Sequence, residues 1–479
     1  MRVREPQPDE TKSMNFNDLD RFSLVPPMPP MPADDISGLQ ILLALRSDAY
    51  SAFPRRCLDE PVVKLWAAWK VLVLTCAPDV IRHVMMTHAE DYARLPLGRR
   101  VLGPIAGNGL LTSEGALWRR QRRAMAPAFA PRNLSIMARH IMLSIEAACA
   151  RLAQSCGTEI DMLSELQMLS LEIAASSMFS IESAAFGSEL RAMISEYAVS
   201  MGRACPSDFL LPDGVPTPMR ARRALFRRRW KKLIRSIVAV RREAKHDGDA
   251  RDLFDLLCEA HGPDQEDLLT DEVGTMIVAG HETTALTLFW MCTLLANSPR
   301  WQTIVAKEAS SLDLSVEGAS ASLPKLVFAR AVVQETLRLY PPVLAVGRLA
   351  TRSHDICGTS VPEGSMILVP YWLLHRDPRI WEQPETFNPL RFVDKSETDR
   401  FAFLPFGIGP HVCIGAQLAM SEATLAIARL VQKFSISLSA DRPILPVGAI
   451  TTRPDHTPMF ILQPREHLQG LAAPSLWTE

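Results

Sequence analysis

The chain has 479 residues, of which 47% are hydrophobic and 22% charged, so it carries enough apolar material for a large core and is not a disordered tail protein. Its 52 Lys and Arg against 53 Asp and Glu leave a net charge of −1, and no global field favours nucleic acid or another polyanion. Nine cysteines without a CxxC pair argue against a disulfide framework or a structural zinc site and point to a reducing compartment, the cytoplasm.

The N-terminus stays polar through Arg21, without the apolar run of a secretory signal, and Met14 offers a second possible start. Pro26 to Pro32 (PPMPPMP) breaks helix and ladder alike. This predicts a flexible Pro-rich lead-in over 1–34, one folded domain over 35–465, and a tail over 466–479. Ile36 to Leu45 is too short to cross ~30 Å of hydrocarbon, and Val273 to Leu295 carries His281 and Glu282, so no transmembrane helix is expected.

Val71 to Thr75 is β-branched and apolar between polar flanks, which predicts a strand, and Pro78 to His88 returns to helical spacing. Helices are then expected over Trp118–Met125, Pro131–Ala153, Leu163–Phe179, Gly187–Met201 and Pro218–Lys245. The last includes twelve Arg or Lys between Arg220 and Lys245. Phe226, Trp230, Leu233, Ile234, Ile237 and Val240 recur there at helical spacing, so an amphipathic helix with a solvated basic face explains the charge without nucleic acid. The apolar Phe209-Leu210-Leu211-Pro212 ahead of it leaves peripheral membrane contact open.

After the charged segment Asp247–Glu266, Thr270 or Asp271 offers an N-cap for a long apolar helix, Asp271 to Ala296, about 39 Å at 1.5 Å per residue. Helices Pro299–Leu312 and Lys325–Tyr340 follow, then short strands between Val346 and Val369, and a last helix from Ile414 to Phe434. The fold class is mainly α with small β-sheets.

Two places interrupt this pattern with chemistry. Phe401 to Gly415 reads FAFLPFGIGPHVCIG, with Cys413 in a Gly/Pro-rich loop ahead of a helix. The macrodipole and free N–H groups there favour a thiolate that a metal would bind. Gly407, Gly409 and Gly415 let a flat cofactor approach the backbone, and Phe406 would wall one side. For an isolated cysteine a buried structural thiol is the commoner reading. Zinc is poorly served, because His411 alone cannot complete a tetrahedral set.

In the long helix, Ala279-Gly280-His281-Glu282-Thr283-Thr284 sets an acid and two hydroxyls among Val, Ile, Leu and Phe, and buried polar groups must be satisfied or used. His281-Glu282 begins the zincin pattern, but Ala285 stands where its second His is needed. The plain alternative is a helix in which Thr283 bonds back to the carbonyl one turn earlier.

The pattern F-x-x-G-x-H-x-C-x-G, formed by Phe406, Gly409, His411, Cys413 and Gly415, resembles the haem-ligand loop of the cytochrome P450 family, although many members carry Arg where His411 stands. The resemblance implies that Cys413 is the proximal thiolate on haem iron, whose push of electron density favours O–O cleavage. The run from Ala279 to Thr284 is similar to the family's oxygen-binding helix. Carried over, Thr283 orients protons toward dioxygen, Glu282 relays them from water, and Gly280 leaves room for the gas.

Glu335-Thr336-Leu337-Arg338, followed by Pro389-Leu390-Arg391-Phe392, is similar to the family's E-x-x-R helix and P-x-R-F loop, which implies a structural charge triad of Glu335, Arg338 and Arg391. His375-Arg376-Asp377-Pro378 and Trp381 match in the same interval. Trp118 and Arg122, one turn apart, together with Arg348 and His411, are implied as partners of the haem propionates. The remaining Arg119, Arg120 and Arg123 suggest a basic patch for an acidic electron donor. As a pocket for substrate, the family's pattern implies the loop Leu95–Thr112, the Phe209–Val215 region, Ala279, Val343, Leu344 and Val346, and the Gly448–Thr452 loop with Ile450.

This resemblance, carried from Asp35 to Gln463, implies a haem-thiolate monooxygenase with haem b and dioxygen. Its expected substrate is a hydrophobic small molecule such as a fatty acid, terpenoid or steroid-like skeleton. The length leaves no room for a fused reductase, so electrons are expected from a ferredoxin and its reductase, or a flavodoxin-like donor. A peroxide-driven hydroxylase or haem-thiolate isomerase keeps the same fold, but the Glu282-Thr283 pair speaks against it. A non-catalytic haem sensor would call for an output module, and none is visible.

Overall fold

The computed structural model describes residues 24–465 apart from 33, 68, 131–132, 181–185, 213–214, 244–251, 262–264, 394–398 and 449. The start of the expected lead-in, the C-terminal tail and part of Asp247–Glu266 lie outside the described residues.

A central helix, Glu266–Ala296, runs through the body with almost every side chain buried. It begins one turn earlier than its sequence suggested. Glu266 and Asp267 occupy the first turn, where carboxylates complement the positive helix end, and Asp267 pairs with Lys231 and Arg235. Thr270 is therefore no cap: its Oγ1 donates back to the Glu266 carbonyl at 2.8 Å. Asp271, the other candidate, accepts instead from the Asn108 amide at 2.8 Å and pairs with Arg227.

Helices Met162–Phe179, Pro218–Glu243, Val327–Leu339 and Ala416–Lys433 pack against the central one and share one core with it. In Pro218–Glu243 the apolar face is Phe226, Trp230, Leu233, Ile234, Ile237 and Val238, whereas Val240 is exposed. The basic face is not wholly solvated. Arg223 is buried on both Asp208 oxygens at 3.0 and 2.9 Å, and Arg241 is buried on Asp252, Asp255 and the Phe179 carbonyl. Phe209 is buried too, so it does not offer itself to a membrane; Leu39, Leu43, Trp66 and Trp69 are the exposed apolar side chains of the first helix and hairpin. No helix among the described residues is long and apolar enough to cross a membrane.

A five-stranded sheet forms a second core. Its spatial order is Val63–Ala67, Lys70–Leu74, Met366–Val369, Val346–Ala350 and Tyr92–Arg94, and only the Lys70–Leu74 to Met366–Val369 pairing is parallel. In the last pair Arg94 lies directly opposite Arg348, a register that sets two cations side by side. The Pro-rich segment lies along the body: Leu24 bridges Phe387, the Pro27 carbonyl accepts from Tyr340 Oη at 3.2 Å, and Met28 Sδ accepts from Arg376.

Candidate active site

A cavity of about 1280 Å³ opens between the central helix, the cysteine loop and the Arg94–Arg348 edge of the sheet. Its wall includes Trp118, Arg122, Ala279, Gly280, Glu282, Thr283, Val343, Leu344, Val346, Arg348, Phe406, His411, Cys413, Gly415 and Ile450. Residues scattered over more than 330 positions of sequence thus meet around one space.

The cysteine loop is held by its own backbone. The amide of Cys413 donates to the Phe406 carbonyl at 2.9 Å, and that of Val412 to Gly409 at 3.1 Å. Gly409 has φ 78°, and a Cβ there would lie 1.9 Å from the Met85 carbonyl oxygen, so only glycine fits. Cys413 is exposed, but onto the cavity rather than bulk water. Burial accordingly pushes its thiol up, against the opposing pulls of the Gly415 N–H and Arg122. The helix start lowers the thiol less than its sequence position suggested, because Gly415 is the N-cap and the first helical turn begins at Ala416.

Behind the loop stands a dense polar lattice. Arg338 donates to Glu335 at 2.7 and 2.8 Å, and to the carbonyls of His375, Pro384 and Thr386. Arg391 reaches the same carboxylate at 3.2 Å, and the Asn388 amide reaches it at 2.8 Å. His375, pushed down to about 3 by burial and by Arg338 and Arg376, accepts the Leu404 amide at 2.9 Å on Nε2. The ion cluster is therefore joined through one neutral imidazole to the segment that leads into the cysteine loop.

The rim of the cavity has the opposite character. Arg348 is buried, yet among the described residues its guanidinium donates only to the carbonyl of its neighbour Gly347. Arg122 is half-buried and makes no hydrogen bond to a described residue. Arg94 donates to the Leu110 and Leu111 carbonyls and to His411 Nδ1 at 3.0 Å, and pairs with Glu114 at 3.4 Å. Burial and the nearby Arg348 and Arg122 hold Arg94 down to about 10. His411 is driven to about 3 by burial and the same arginines. It accepts from Arg94 on Nδ1, so only its Nε2–H remains to donate, and its ring packs 4.2 Å from that of Trp118. Arg119, Arg120 and Arg123 are exposed on the outer side of the same helix.

On the opposite wall Thr283 Oγ1 donates to the Ala279 carbonyl at 2.7 Å, a back-bond inside a continuous helix. Glu282 is buried and its Oε1 accepts from Arg453 and from Thr451 at 3.4 Å, while Oε2 has no partner among the described residues. A Cβ on Gly280 would meet Met178 Cε at 3.1 Å. Its bareness serves the approach of helix Met162–Phe179, and Gly280 also lines the cavity. The stretch Leu95–Thr112, expected as a loop, contains the helix Pro96–Ala106, with Pro96 at its first position.

The comparisons agree with this geometry. The model of the cytochrome P450 family matches residues 36–460. The chain belongs to the cytochrome P450 family. It is 28% identical over 84% of its length to a cytokinin hydroxylase of Arabidopsis thaliana, covering 80% of that protein. It is 30% identical over 76% of its length to the cyclooctat-9-en-7-ol 5-monooxygenase of Streptomyces melanosporofaciens, covering 80% of that enzyme. The cyanobacterial CYP120A1 bound to retinoic acid shares the fold at TM-score 0.75 and 23% identity, with 92% of this chain and all of that one (100%) covered. This P450 is a monooxygenase, a haem-dependent oxidoreductase of a family that uses dioxygen and takes electrons from redox partners.

The residues of this P450 fit the group its family implies. One thiol faces the cavity, Gly407 and Gly415 bring bare backbone to the same wall, and the cationic rim of Arg94, Arg122 and Arg348 has only the Glu114 pairing among the described residues, fewer anions than would balance it. Two carboxylates of a porphyrin would supply them. Sequence reading missed Arg94, because only the strand register brings it to Arg348, and Arg453, because nothing near it in the chain points to a carboxylate 171 residues earlier.

Proposed function

We propose that this P450 hydroxylates a hydrophobic small molecule, with Cys413 as the residue whose thiolate would hold the iron of haem b. The convergence of Cys413 and three under-compensated arginines on one apolar cavity carries this reading. When bound, haem supplies the chemistry of dioxygen activation and transfer of one oxygen atom into a C–H bond, the other leaving as water.

The protein's residues do the rest. Arg122, Arg348, the His411 Nε2–H and Trp118 hold the propionates, and Arg94 orients His411 from behind. Phe406 and the bare backbone at Gly407 would flank the macrocycle, while Gly409 lets the loop pack against the Met85 carbonyl. The hydroxyl of Thr283, already hydrogen-bonded at its proton, presents oxygen lone pairs to the cavity and passes a proton by exchanging donors. Glu282 holds the next carboxylate, and Arg453, about a quarter exposed, links it toward the surface. Glu335, Arg338 and Arg391 keep the loop in place and touch nothing that reacts.

Ala279, Val343, Leu344, Val346 and Ile450 line the substrate side, which favours an apolar skeleton of the fatty acid, terpenoid or steroid-like class; one relative is named for oxidising cyclooctat-9-en-7-ol. Electrons come from a ferredoxin docking on the exposed Arg119, Arg120 and Arg123, and any peripheral membrane contact runs through Leu39, Leu43, Trp66 and Trp69. The test is Cys413→Ala: the purified variant loses the thiolate-type carbon monoxide spectrum of the reduced protein. An unchanged spectrum would overturn the reading. Optical titration with a lipophilic library then identifies the substrate class.

A further inference from the structure

Beside the edge strand Tyr92–Arg94, on residues that do not line the cavity, three imidazoles and a carboxylate crowd together. His83 opens the turn His83–Thr87, His88 follows it, Asp91 closes the turn Ala89–Asp91, and His354 starts the strand His354–Ile356. The sequence separates His354 from the others by more than 260 residues, so only the fold assembles the group.

The spacing is that of a coordination shell. Asp91 Oδ2 stands 3.4 Å from His354 Nε2 and 3.8 Å from His88 Nδ1, and the three donor atoms lie within 4.8 Å of one another. A tetrahedral ion with bonds of about 2.0–2.1 Å sets its ligand atoms about 3.3 Å apart. A contraction of a few tenths of an ångström on the Asp91 edges, with a small turn of the exposed His88 ring, closes the shell.

The surrounding bonds hold the donors in place. Asp91 Oδ1 pairs with Arg352 Nε at 2.9 Å, and the Asp91 carbonyl accepts both the amide and the hydroxyl of Thr351, which leaves Oδ2 as the free oxygen. The ring of His354 stacks on Tyr92 at 5.0 Å. Its Nε2 is buried and makes no hydrogen bond, although a carboxylate oxygen is 3.4 Å away. Such an unmet buried nitrogen is costly unless something else engages it. His83 is not a donor: its Nε2 is taken by Tyr92 Oη at 3.2 Å, and its ring walls the group at 4.3 Å from His88 and 5.2 Å from His354.

We propose that His88, Asp91 and His354 bind a divalent cation of the zinc class, with water in the fourth position. Two imidazoles and one carboxylate suit a borderline ion, not the all-oxygen shells of calcium or magnesium. The ion ties the strand Tyr92–Arg94 to the hairpin His354–Val361, three residues from the rim arginine Arg94. The site is independent of the haem assignment and takes no part in oxygen chemistry.

The experiment is calorimetric titration of the chelator-treated full-length protein with zinc chloride, together with zinc-edge X-ray absorption on the loaded protein. Expected are one zinc per chain, a raised thermal midpoint, a nitrogen and oxygen shell near about 2.0 Å, and affinity weakened by about 10–100-fold or more in His88→Ala and His354→Ala but kept in His83→Ala. Absence of saturable binding, affinity in His88→Ala and His354→Ala equal to that of the unsubstituted protein, or a sulfur shell near about 2.3 Å from cysteines overturns the proposal. If a variant fails to fold, the absorption spectrum of the native protein still decides.

Discussion

The two cationic clusters on either side of the cysteine loop differ in how their charge is met. Behind the loop, Glu335 and Arg338 are fully buried, and each nitrogen of the Arg338 guanidinium donates to a carboxylate or a carbonyl. Around the cavity, buried Arg348 has one local carbonyl and half-buried Arg122 has no hydrogen bond to a described residue. Charges that the protein satisfies by itself hold the fold together. Charges it buries and leaves under-compensated are stabilised by what binds there.

Breaking the first cluster should have the largest effect. Arg338→Leu leaves Glu335 as a buried charge facing only Arg391 and one amide, and loss of one partner of such a pair costs about 3–5 kcal/mol. Thermal denaturation and soluble yield should show a variant that folds poorly at any pH near neutrality.

Arg348→Leu sharpens the contrast. It removes a cation that repels Arg94 and bonds only its neighbour, so the thermal midpoint should fall far less than in Arg338→Leu. Haem transfer to an acceptor protein should quicken by about tenfold or more, because a charge-assisted hydrogen bond contributes about 1.5–3 kcal/mol.

A smaller effect is expected for His281, which is buried in the central helix with the Gln167 backbone and Glu282 as its favourable polar neighbours. Burial lowers it from 6.5 to about 4, so below about pH 6.5 the unfolded chain binds a proton that the folded one does not. Its neutral form contributes stability that is complete above 6.5 and is lost as pH falls toward 4, by at most about 1.4 kcal/mol per unit. His281→Leu should flatten that part of the slope when urea midpoints at pH 7.5 and 5.5 are compared. Least of all, Arg119→Glu should slow electron transfer several-fold at low salt, while the absorption spectrum and stability stay unchanged.

Much of this was legible in the chain. Cys413 stood out because glycines and prolines framed it, and Glu282-Thr283 because polar groups broke an apolar run. Other features were hidden for physical reasons. Pro96, Gly98, Gly103 and Pro104 made a cavity-lining helix look like a loop, since Pro at a first helical position is favourable but reads as a breaker from outside. The strand Val63–Ala67 was missed because only its two end residues are buried, although it pairs with Lys70–Leu74 along its whole length.

The sequence by itself determined the helical body, the cysteine loop, the acid and hydroxyl in the central helix and the family to which they belong, because each is written in local periodicity or close spacing. Tertiary structure alone decided that Arg94 faces Arg348, that Glu282 meets Arg453, and that His354 joins His88 and Asp91. These are pairings across strand registers and distant hairpins, where the energy lies in burial and direction, and neither quantity is carried by the order of residues along the chain.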